Sequence, residues 1–271
     1  MERVTNLSIK LSKYSAIGKV TIRNHLVYMM DFLVRSLFLL LILYIFLQLW
    51  EATFSGEGTG TIAGYTYEQI IWYLIFAESI AMACPSLCTR IEEEVKSGDV
   101  AYRLTRPVSY IGYHYCSYIG EVAVRLAVNL VVGGALGVLV FGAPSFGFGW
   151  FGFAVMAVGA FTVNFLLNML VALCAFWVEE TRGLEFVYHK LLFTIGGMLL
   201  PLEIFPEVLQ RICAWLPFQT IMYFSAKTAV RFDWGMLAKF LLIQWAWVTV
   251  LSVVVWWMYG KGVKKINVNG G

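Results

Sequence analysis

The stretch Ile91 to Pro107, IEEEVKSGDVAYRLTRP, is a charged segment between two long apolar runs. The rest of the chain has few such segments: of its 271 residues, 60% are hydrophobic and 14% are charged, with a mean hydropathy of +0.74. That leaves too little polar surface to cover a soluble globule, whereas a lipid environment needs none. Because helices satisfy their own backbone hydrogen bonds in lipid, the sequence predicts an all-α integral membrane protein.

The apolar runs divide the chain by length. A hydrocarbon core about 30 Å thick needs ~20 mostly apolar helical residues to cross it. Six runs fit this requirement, so six transmembrane helices in one transmembrane domain, residues 1–271, are predicted. They lie near Phe32–Trp50, Gln69–Cys88, Ile119–Phe141, Trp150–Val178, from Leu184 to the region of Pro201, and Leu237–Tyr259.

The distribution of Lys and Arg predicts the orientation. Short cytoplasmic loops retain these residues and translocated loops do not. The loops Glu51–Glu68 and Gly142–Gly149 carry neither, and the remaining predicted outer segment holds four of them: Arg211, Lys227, Arg231 and Lys239. The sequence therefore predicts a multi-pass protein of the plasma or inner membrane with both termini in the cytoplasm.

Residues 1–30 precede the first apolar run and carry a possible amphipathic helix. An apolar stripe at helical spacing has Lys10 at its edge, and Lys13 and Lys19 lie further from it around the helix. This amphipathic pattern predicts an interfacial helix along the cytoplasmic headgroups. An ordinary flanking anchor that only fixes the topology fits the same pattern. The stripe consists of Val4, Leu7, Leu11 and Tyr14.

Residues 89–110 form the predicted cytoplasmic loop that contains the opening stretch. Cys88, Ile91 and Val95 would form the apolar side of a short helix, and Ser97-Gly98-Asp99 would break it. Arg106-Pro107 would end an extended piece after it, because the residue before proline disfavours helical geometry. The alternative is a merely solvated loop. The charged side of the helix, predicted to face outward, consists of Glu92, Glu93, Glu94 and Lys96.

Residues 201–235 form the other irregular segment, on the predicted outer side. Pro201, Pro206 and Pro217 divide it into short pieces. It is too apolar for a free loop and too broken for a span. It is therefore predicted to form short helices that dip into the outer leaflet or roof a cavity. Its apolar face would consist of Val208, Leu209, Ile212, Cys213 and Leu216.

Polar residues inside the predicted spans invite a functional interpretation, because an ionisable group in lipid costs a few kcal/mol. Glu78 lies near the middle of the second span, either as a substrate or proton site or in an ion pair with Arg35 or Arg125. Glu121 is four residues before Arg125 and is expected to pair with it. Another pair on a shared helical face is expected to hydrogen-bond across helices: Asn164 and Asn168.

Motifs for chemistry are missing from the sequence. There is no GxxxxGK[ST], and the clusters at Gly133-Gly134 and Gly196-Gly197 lie in apolar runs, where small residues let helices approach closely. Cys84 and Cys88 are one helical turn apart without a His or second Cys pair to complete a metal site. We therefore expect neither a metal nor a nucleotide site on this chain.

Several short stretches, in this order, carry a family resemblance. They are Leu49-Trp50-Glu51-Ala52, Gly64-Tyr65-Thr66-Tyr67-Glu68-Gln69-Ile70, Ser97-Gly98-Asp99, Leu104-Thr105-Arg106-Pro107-Val108, Gly197 to Leu202, Ile204-Phe205-Pro206 and Leu216-Pro217. Together with the predicted topology, they resemble the membrane subunit of type-2 ATP-binding-cassette (ABC) exporters, in the branch whose permeases are encoded apart from their ATPase.

The resemblance implies a mechanism. An amphipathic N-terminal helix and a coupling helix between spans two and three would rest on a separate ATPase dimer, which binds ATP and Mg. Two permease subunits would enclose the substrate path. The second subunit would be this chain again or a paralogue, and no nucleic acid is expected. The outer proline-divided segment would be a re-entrant hairpin acting as a gate or dimer contact. The implied coupling residues are Glu92, Glu93, Glu94, Lys96, Gly98, Asp99, Arg106 and Pro107.

Two other classes of protein fit parts of the pattern. A stand-alone secondary transporter or channel would typically show span repeats or several midplane acidic residues, whereas Glu78 is nearly alone. An intramembrane enzyme would need converging catalytic groups, but His25, His114 and His189 are scattered over three segments. The substrate is left open, because lipid-linked sugars, peptides and drugs all suit this architecture.

Overall fold

The computed structural model describes residues 2–27, 29–57, 60–178 and 180–269. Within these ranges, it leaves the side chains of residues 2–11, 29, 31, 32, 35, 57 and 266–269 undescribed. The described chain is helical, without a β-strand. Its helices are α1 (Glu2–Val27), α2 (Met29–Glu57), α3 (Tyr67–Ala83), α4 (Leu87–Ser97), α5 (Asp99–Leu104), α6 (Tyr110–Phe141), α7 (Gly149–Leu173), α8 (Arg182–Ile195), α9 (Glu207–Ala214), α10 (Tyr223–Val230) and α11 (Trp234–Asn269).

Local sequence signals set the bounds of α3. Thr66 caps its start, where the Thr66 hydroxyl accepts from the Gln69 backbone N at 3.3 Å and the Gln69 side chain accepts from the Thr66 backbone N at 3.2 Å. At its far end, Cys84 is extended, with φ −73° and ψ 117°, because it precedes Pro85. This break separates α3 from α4.

Among the described residues, five helical stretches are long and apolar enough to cross a membrane: Ser36–Gly56, Tyr67–Ser97, Tyr110–Phe141, Gly149–Phe176 and Trp234–Lys265. They correspond to five of the six predicted spans. The run predicted as the fifth span forms α8, whose 14 residues are too few to cross a hydrocarbon core as one helix. Gly196 and Gly197 end it before Pro201 is reached, which is why the apolar run there is not one continuous helix.

Burial distinguishes central from peripheral helices. In the most apolar 18 residues of the stretch that begins with α3, 78% of the residues are buried. The corresponding share is 22% in each of α2, α6 and α11. Trp72, Tyr73 and Phe76 of α3 are among the largest fully buried side chains. The corresponding share in α7 is 67%, so the core is built around α3 and α7.

The start of α3 and the end of α6 meet at one end of the bundle, which we call the Glu203 end. Tyr67 packs edge-on against Phe141 with ring centroids 5.3 Å apart. The Tyr65 hydroxyl donates to Glu203 Oε1 at 3.2 Å. The proline-divided segment therefore lies at this end.

The opposite end, here the Glu94 end, holds α4 and α5. The Tyr110 hydroxyl at the start of α6 donates to Glu94 Oε2 at 2.9 Å, and the Tyr110 ring stacks on Tyr259 near the end of α11 at 5.9 Å. Ser86 donates to Glu185 Oε1 at 2.6 Å, so α8 starts at this end too.

The N-terminal helix α1 packs lengthwise against the first turns of α6. The Tyr14 hydroxyl accepts from the Ser109 backbone N at 3.1 Å. Further along, a Cβ on Gly120 would lie 2.9 Å from the Gly18 carbonyl oxygen, a separation that only glycine allows. The interfacial placement of residues 1–30 stays a prediction. The other positions of its predicted stripe have side chains outside the described residues: Val4, Leu7 and Leu11.

Candidate coupling site

Helix α4 is the centre of the candidate site. Its predicted apolar face is confirmed, because Cys88 and Ile91 are fully buried and Val95 is partly buried. The face packs against α7, where the Cys88 thiol lies 3.5 Å from the Asn168 carbonyl oxygen. The break predicted after α4 is confirmed too: Gly98 has φ +78°, a left-handed conformation that favours glycine.

Glu92 connects α4 to the start of α8. Its Oε2 accepts hydrogen bonds from the Thr181 backbone N at 2.9 Å and from the Thr181 hydroxyl at 2.7 Å. Its Oε1 accepts from Lys96 Nζ at 2.5 Å. Glu92 is 4% exposed and Thr181 is fully buried, so this is a closed contact between two segments 89 positions apart.

Glu94 connects α4 to α5 and α6. Besides the bond from Tyr110, its Oε2 lies 3.2 Å from His114 Nε2, and its Oε1 lies 3.1 Å from a guanidinium nitrogen of Arg103. His114 is fully buried and Glu94 is 5% exposed. A buried carboxylate is stable only when such partners replace water, so the contact fixes α4 relative to the start of α6.

These contacts correct the predicted outward face of α4. Glu93 and Lys96 are exposed as predicted, but Glu92 and Glu94 face inward, so the prediction is wrong for these two. Helical spacing places positions 92 and 94 on opposite flanks of the buried stripe, where partners from α8 and α6 reach them. The exposed surface consists of Glu93, Lys96, Ser97, Gly98 and Asp99.

The segment after Gly98 also differs from its prediction. Instead of an extended piece, it forms the short helix α5. The guanidinium of Arg103 in this helix lies over the Tyr113 ring, with 4.8 Å between Cζ and the ring centroid. Arg106 and Pro107 lie exposed beyond it.

Glu121 links three helices at the Glu94 end. The predicted pair with Arg125 is confirmed, with 2.5 Å between Oε1 and a guanidinium nitrogen. Glu121 Oε2 also lies 3.0 Å from Arg90 of α4 and 3.4 Å from His25 Nε2 of α1. The buried Glu121 carboxylate therefore connects α4 to α1.

The two asparagines of α7 bond across helices, as predicted. Asn164 donates to the Tyr118 hydroxyl of α6 at 2.7 Å and accepts from the Tyr188 hydroxyl of α8. Asn168 donates to Asn164 Oδ1 at 3.1 Å and to the Tyr188 hydroxyl at 3.3 Å. This cluster holds α6, α7 and α8 together inside the bundle.

Glu78 is buried, with 1% of its surface exposed, and neither carboxylate oxygen has a hydrogen-bond partner among the described residues. The ion pair considered with Arg125 is absent, since the described ion pair of Arg125 is with Glu121. The side chain of Arg35, the other partner considered, lies outside the described residues.

A second polar cluster lies at the Glu203 end. Glu203 Oε1 accepts from the hydroxyl of Tyr65 at 3.2 Å, from that of Tyr223 at 2.8 Å, and from Lys227 Nζ. Burial alone would raise the pKa of Glu203, but the hydrogen bond and positive charge of Lys227 outweigh it and hold that pKa below its ordinary value. The cluster joins the loop before α3 to α10.

The three prolines predicted to divide this segment do so. Pro201 precedes the turn Leu202–Ile204, Pro206 precedes α9 and Pro217 precedes the turn Phe218–Thr220. The predicted apolar face of α9 is only partly covered: Cys213 is buried, whereas Val208 is 70% and Ile212 51% exposed. This helix therefore presents apolar side chains at the Glu203 end.

Comparison with known families settles the class of protein. Residues 24–270 match the model of the ABC-2 family transporter protein. The chain belongs to the ABC-2 transporter family. It is therefore a multi-pass membrane subunit of an ABC transporter rather than the nucleotide-binding domain. No curated protein matches the sequence.

Sequence reasoning missed the partners that hold α4 of this ABC-2 subunit in place. Thr181, Tyr110 and His114 are unremarkable in sequence, and the Glu203 cluster was not anticipated either. A run of three glutamates beside a tyrosine-rich helix start was the one available signal. Among the described residues, no group of three His, Cys, Asp or Glu side chains could hold a metal ion.

Proposed function

We propose that this chain is the permease subunit of an ABC exporter and that ATP hydrolysis on separate ATPase subunits drives it through α4 and α5. The observation that carries the proposal is the two-sided character of α4. Glu93, Gly98 and Asp99 face outward, where a partner could meet them, while Glu92 anchors the same helix to the bundle. Lys96 is exposed too, although its ammonium group donates to Glu92.

The buried contacts give α4 a route for transmitting force. A displacement of α4 would move the start of α8 through Thr181 and the start of α6 through Glu94. ATP can shift an inward-open to outward-open equilibrium only by its differential effect on the two states, so a stiff linkage is required. Two buried carboxylates supply that stiffness. Glu92 accepts three hydrogen bonds, and Glu94 accepts one from Tyr110 and lies within ion-pair distance of Arg103 and His114.

Six membrane crossings with both termini in the cytoplasm form part of the proposal. The chain passes from Glu185 at the Glu94 end to Glu203 at the Glu203 end, although α8 covers only part of that path. The α8 segment would thus supply the remaining crossing, which is the fifth in chain order, and the turn from Gly196 to Pro201 would complete it. The Lys- and Arg-rich Glu94 end would then face the cytoplasm.

Two permease copies, or this chain and a paralogue, would form the substrate path. The peripheral helices α2 and α11 expose long apolar faces that lipid or a second permease must cover. ATP and Mg would bind on the ATPase dimer and not on this chain. The segment 201–235 would serve as the outer gate or as part of the contact between permeases.

A stand-alone, ion-coupled transporter is the second candidate. The observation that favours it is Glu78, a buried carboxyl with no partner among the described residues. An intramembrane ionisable group of this kind is a common proton site. It predicts transport by this chain without an ATPase, abolished by Glu78→Gln.

The test is co-expression with candidate ATPase subunits followed by purification and measurement of ATP hydrolysis. Glu93→Lys should lower association or activity at least tenfold, whereas Glu207→Lys, an exposed position at the Glu203 end, should leave both unchanged. Gly98→Pro, which also removes the left-handed turn, should behave like Glu93→Lys. Association and activity unaffected by both Glu93→Lys and Gly98→Pro would exclude α4 and its turn as the docking surface.

A further inference from the structure

A small pocket at the Glu94 end lies between α1, α5 and the start of α6. Its volume is about 320 Å³, at the lower end of the range usual for small-ligand sites. Three cations and three less polar side chains line most of it: Lys13, Arg103, Arg106, Ile17, Val108 and Tyr113.

The charges of this pocket are only partly compensated. Arg103 is paired with Glu94. Lys13 and Arg106 are exposed and have no carboxylate partner among the side chains that the structure describes. The Arg106 guanidinium lies 4.7 Å over the Tyr102 ring, a contact that orients it without neutralising it. Two positive charges are therefore left over at one opening.

We propose that this pocket binds a phosphate group, and specifically the headgroup of an anionic phospholipid. Arginine's planar donors match phosphate oxygens bidentately, and a lysine adds a compact charge. Ile17 and Val108 give the pocket an apolar side that a free phosphate would not use and that the glycerol and upper acyl chain of a lipid would cover.

The position of the pocket favours the lipid source. Lys13 and Ile17 belong to α1 where it packs beside the first turns of α6, before the most apolar part of that helix. Lys and Arg residues are concentrated at this end, where an anionic leaflet would attract them. A lipid held here would connect α1 to α5, directly after the turn at Gly98. The lipid composition of the leaflet would thereby bias the position of the coupling segment.

The experiment measures binding of dihexanoylphosphatidylglycerol, below its micellar concentration, to the purified full chain in a neutral detergent by titration calorimetry. Dihexanoylphosphatidylcholine and inorganic phosphate are titrated in parallel. The test variant is Lys13→Gln/Arg106→Gln. The matched control, Lys19→Gln/Arg182→Gln, removes the same charge from exposed positions at the same end that do not line this pocket.

Saturable binding of the anionic lipid, at least about tenfold weaker in the test variant and unchanged in the control, is the expected result. Equal binding of inorganic phosphate would keep the phosphate site and overturn the lipid as its source. Equal loss in both double variants, or no loss in either, would overturn the site. Because no ATPase is present, these outcomes are independent of the proposed coupling.

Two further measurements keep the test decisive. Unchanged helicity and melting temperature of Lys13→Gln/Arg106→Gln are expected, because no carboxylate among the described side chains would lose its partner in this variant. If the variant unfolds, the single change Arg106→Gln replaces it. The second measurement is the association of the same variant with the co-expressed ATPase. If the variant binds the lipid normally but no longer associates with the ATPase, these cations contact a protein partner and the proposal is overturned.

Discussion

Glu92 and Thr181 form a two-point contact: one carboxylate oxygen accepts from the Thr181 backbone N at 2.9 Å and from its hydroxyl at 2.7 Å. The two residues belong to different segments of the Glu94 end, and both are buried. The contact makes α4 part of the same rigid unit as the start of α8. A helix that only rested on the bundle could move without moving the spans.

Removing this carboxylate should destabilise the protein far more than removing its exposed neighbour. Glu92→Ala leaves the buried Thr181 donors unpaired, and we expect a loss of about 2–4 kcal/mol in the free energy of unfolding. Glu93→Ala should stay within about 0.5 kcal/mol, because Glu93 is exposed. Denaturant titration in detergent measures both. Equal effects would contradict the closed contact.

The bond between Tyr110 and Glu94 can be tested by removing one hydroxyl. Tyr110→Phe keeps the ring that stacks on Tyr259 and removes only the donor to Glu94. We expect a loss of about 1–3 kcal/mol, since the acceptor is a charged, buried group. Tyr102→Phe, an exposed tyrosine on α5, is the control and should be nearly neutral. A neutral Tyr110→Phe would show that Arg103 and His114 alone satisfy Glu94.

The Glu203–Lys227 pair should give the Glu203 end a specific pH dependence. The pKa of Glu203 is lowered from 4.5 in the folded protein, so the stability from this pair is present above that value and is lost as pH falls through the lowered pKa. Lys227→Met should cost about 1–2 kcal/mol at neutral pH. The gap between wild type and variant should narrow as the pH falls below 4.5 and through the lowered pKa of Glu203.

Melting temperatures of both proteins between pH 7 and pH 3.5 measure this gap. Other carboxylates titrate equally in the two proteins, so only the difference between the two curves is interpreted. A difference that does not change with pH would mean that Lys227 contributes packing and not a charge to Glu203.

Close packing of α6 on α3 requires glycine at one position and not at a neighbouring one. A Cβ on Gly137 would lie 2.8 Å from Trp72 Cζ2 and 2.9 Å from Ile75 Cδ1. A Cβ on Gly134 would have no atom within 4 Å. Gly137→Ala should therefore cost about 1–3 kcal/mol, and Gly134→Ala should be neutral or slightly stabilising. Thermal unfolding of the two variants decides. The same sign for both would contradict the packing.

The main helices could be predicted from length and hydropathy alone, because lipid imposes one long apolar run for each crossing. The predicted runs overlap α2, α3, α6, α7 and α11, but α6 begins at Tyr110 instead of Ile119, and α2 and α11 continue to Glu57 and Asn269 beyond the predicted Trp50 and Tyr259. Patterns that depend on neighbouring residues were also readable, such as the break at Gly98 and the pair formed by Glu121 and Arg125.

Features that depend on distant partners could not be read. Burial of Glu92 rests on Thr181, 89 positions away, and a run of three glutamates beside an apolar stripe looks the same whether or not such a partner exists. Likewise, the run after Leu184 has the composition of a span, but Gly196 and Gly197 let the chain leave the helix at Ile195. Composition reports burial in lipid and not where a helix ends.

The central claim is that α4 and its turn contact an ATPase subunit. The most direct measurement places a photo-crosslinking benzoylphenylalanine at Glu93, at Asp99 and, as control, at exposed Glu207, in the chain co-expressed with its candidate ATPase. The account predicts ATP-sensitive crosslinks to the ATPase from positions 93 and 99 and none from 207. Crosslinks absent from 93 and 99 in a complex that still hydrolyses ATP would contradict it.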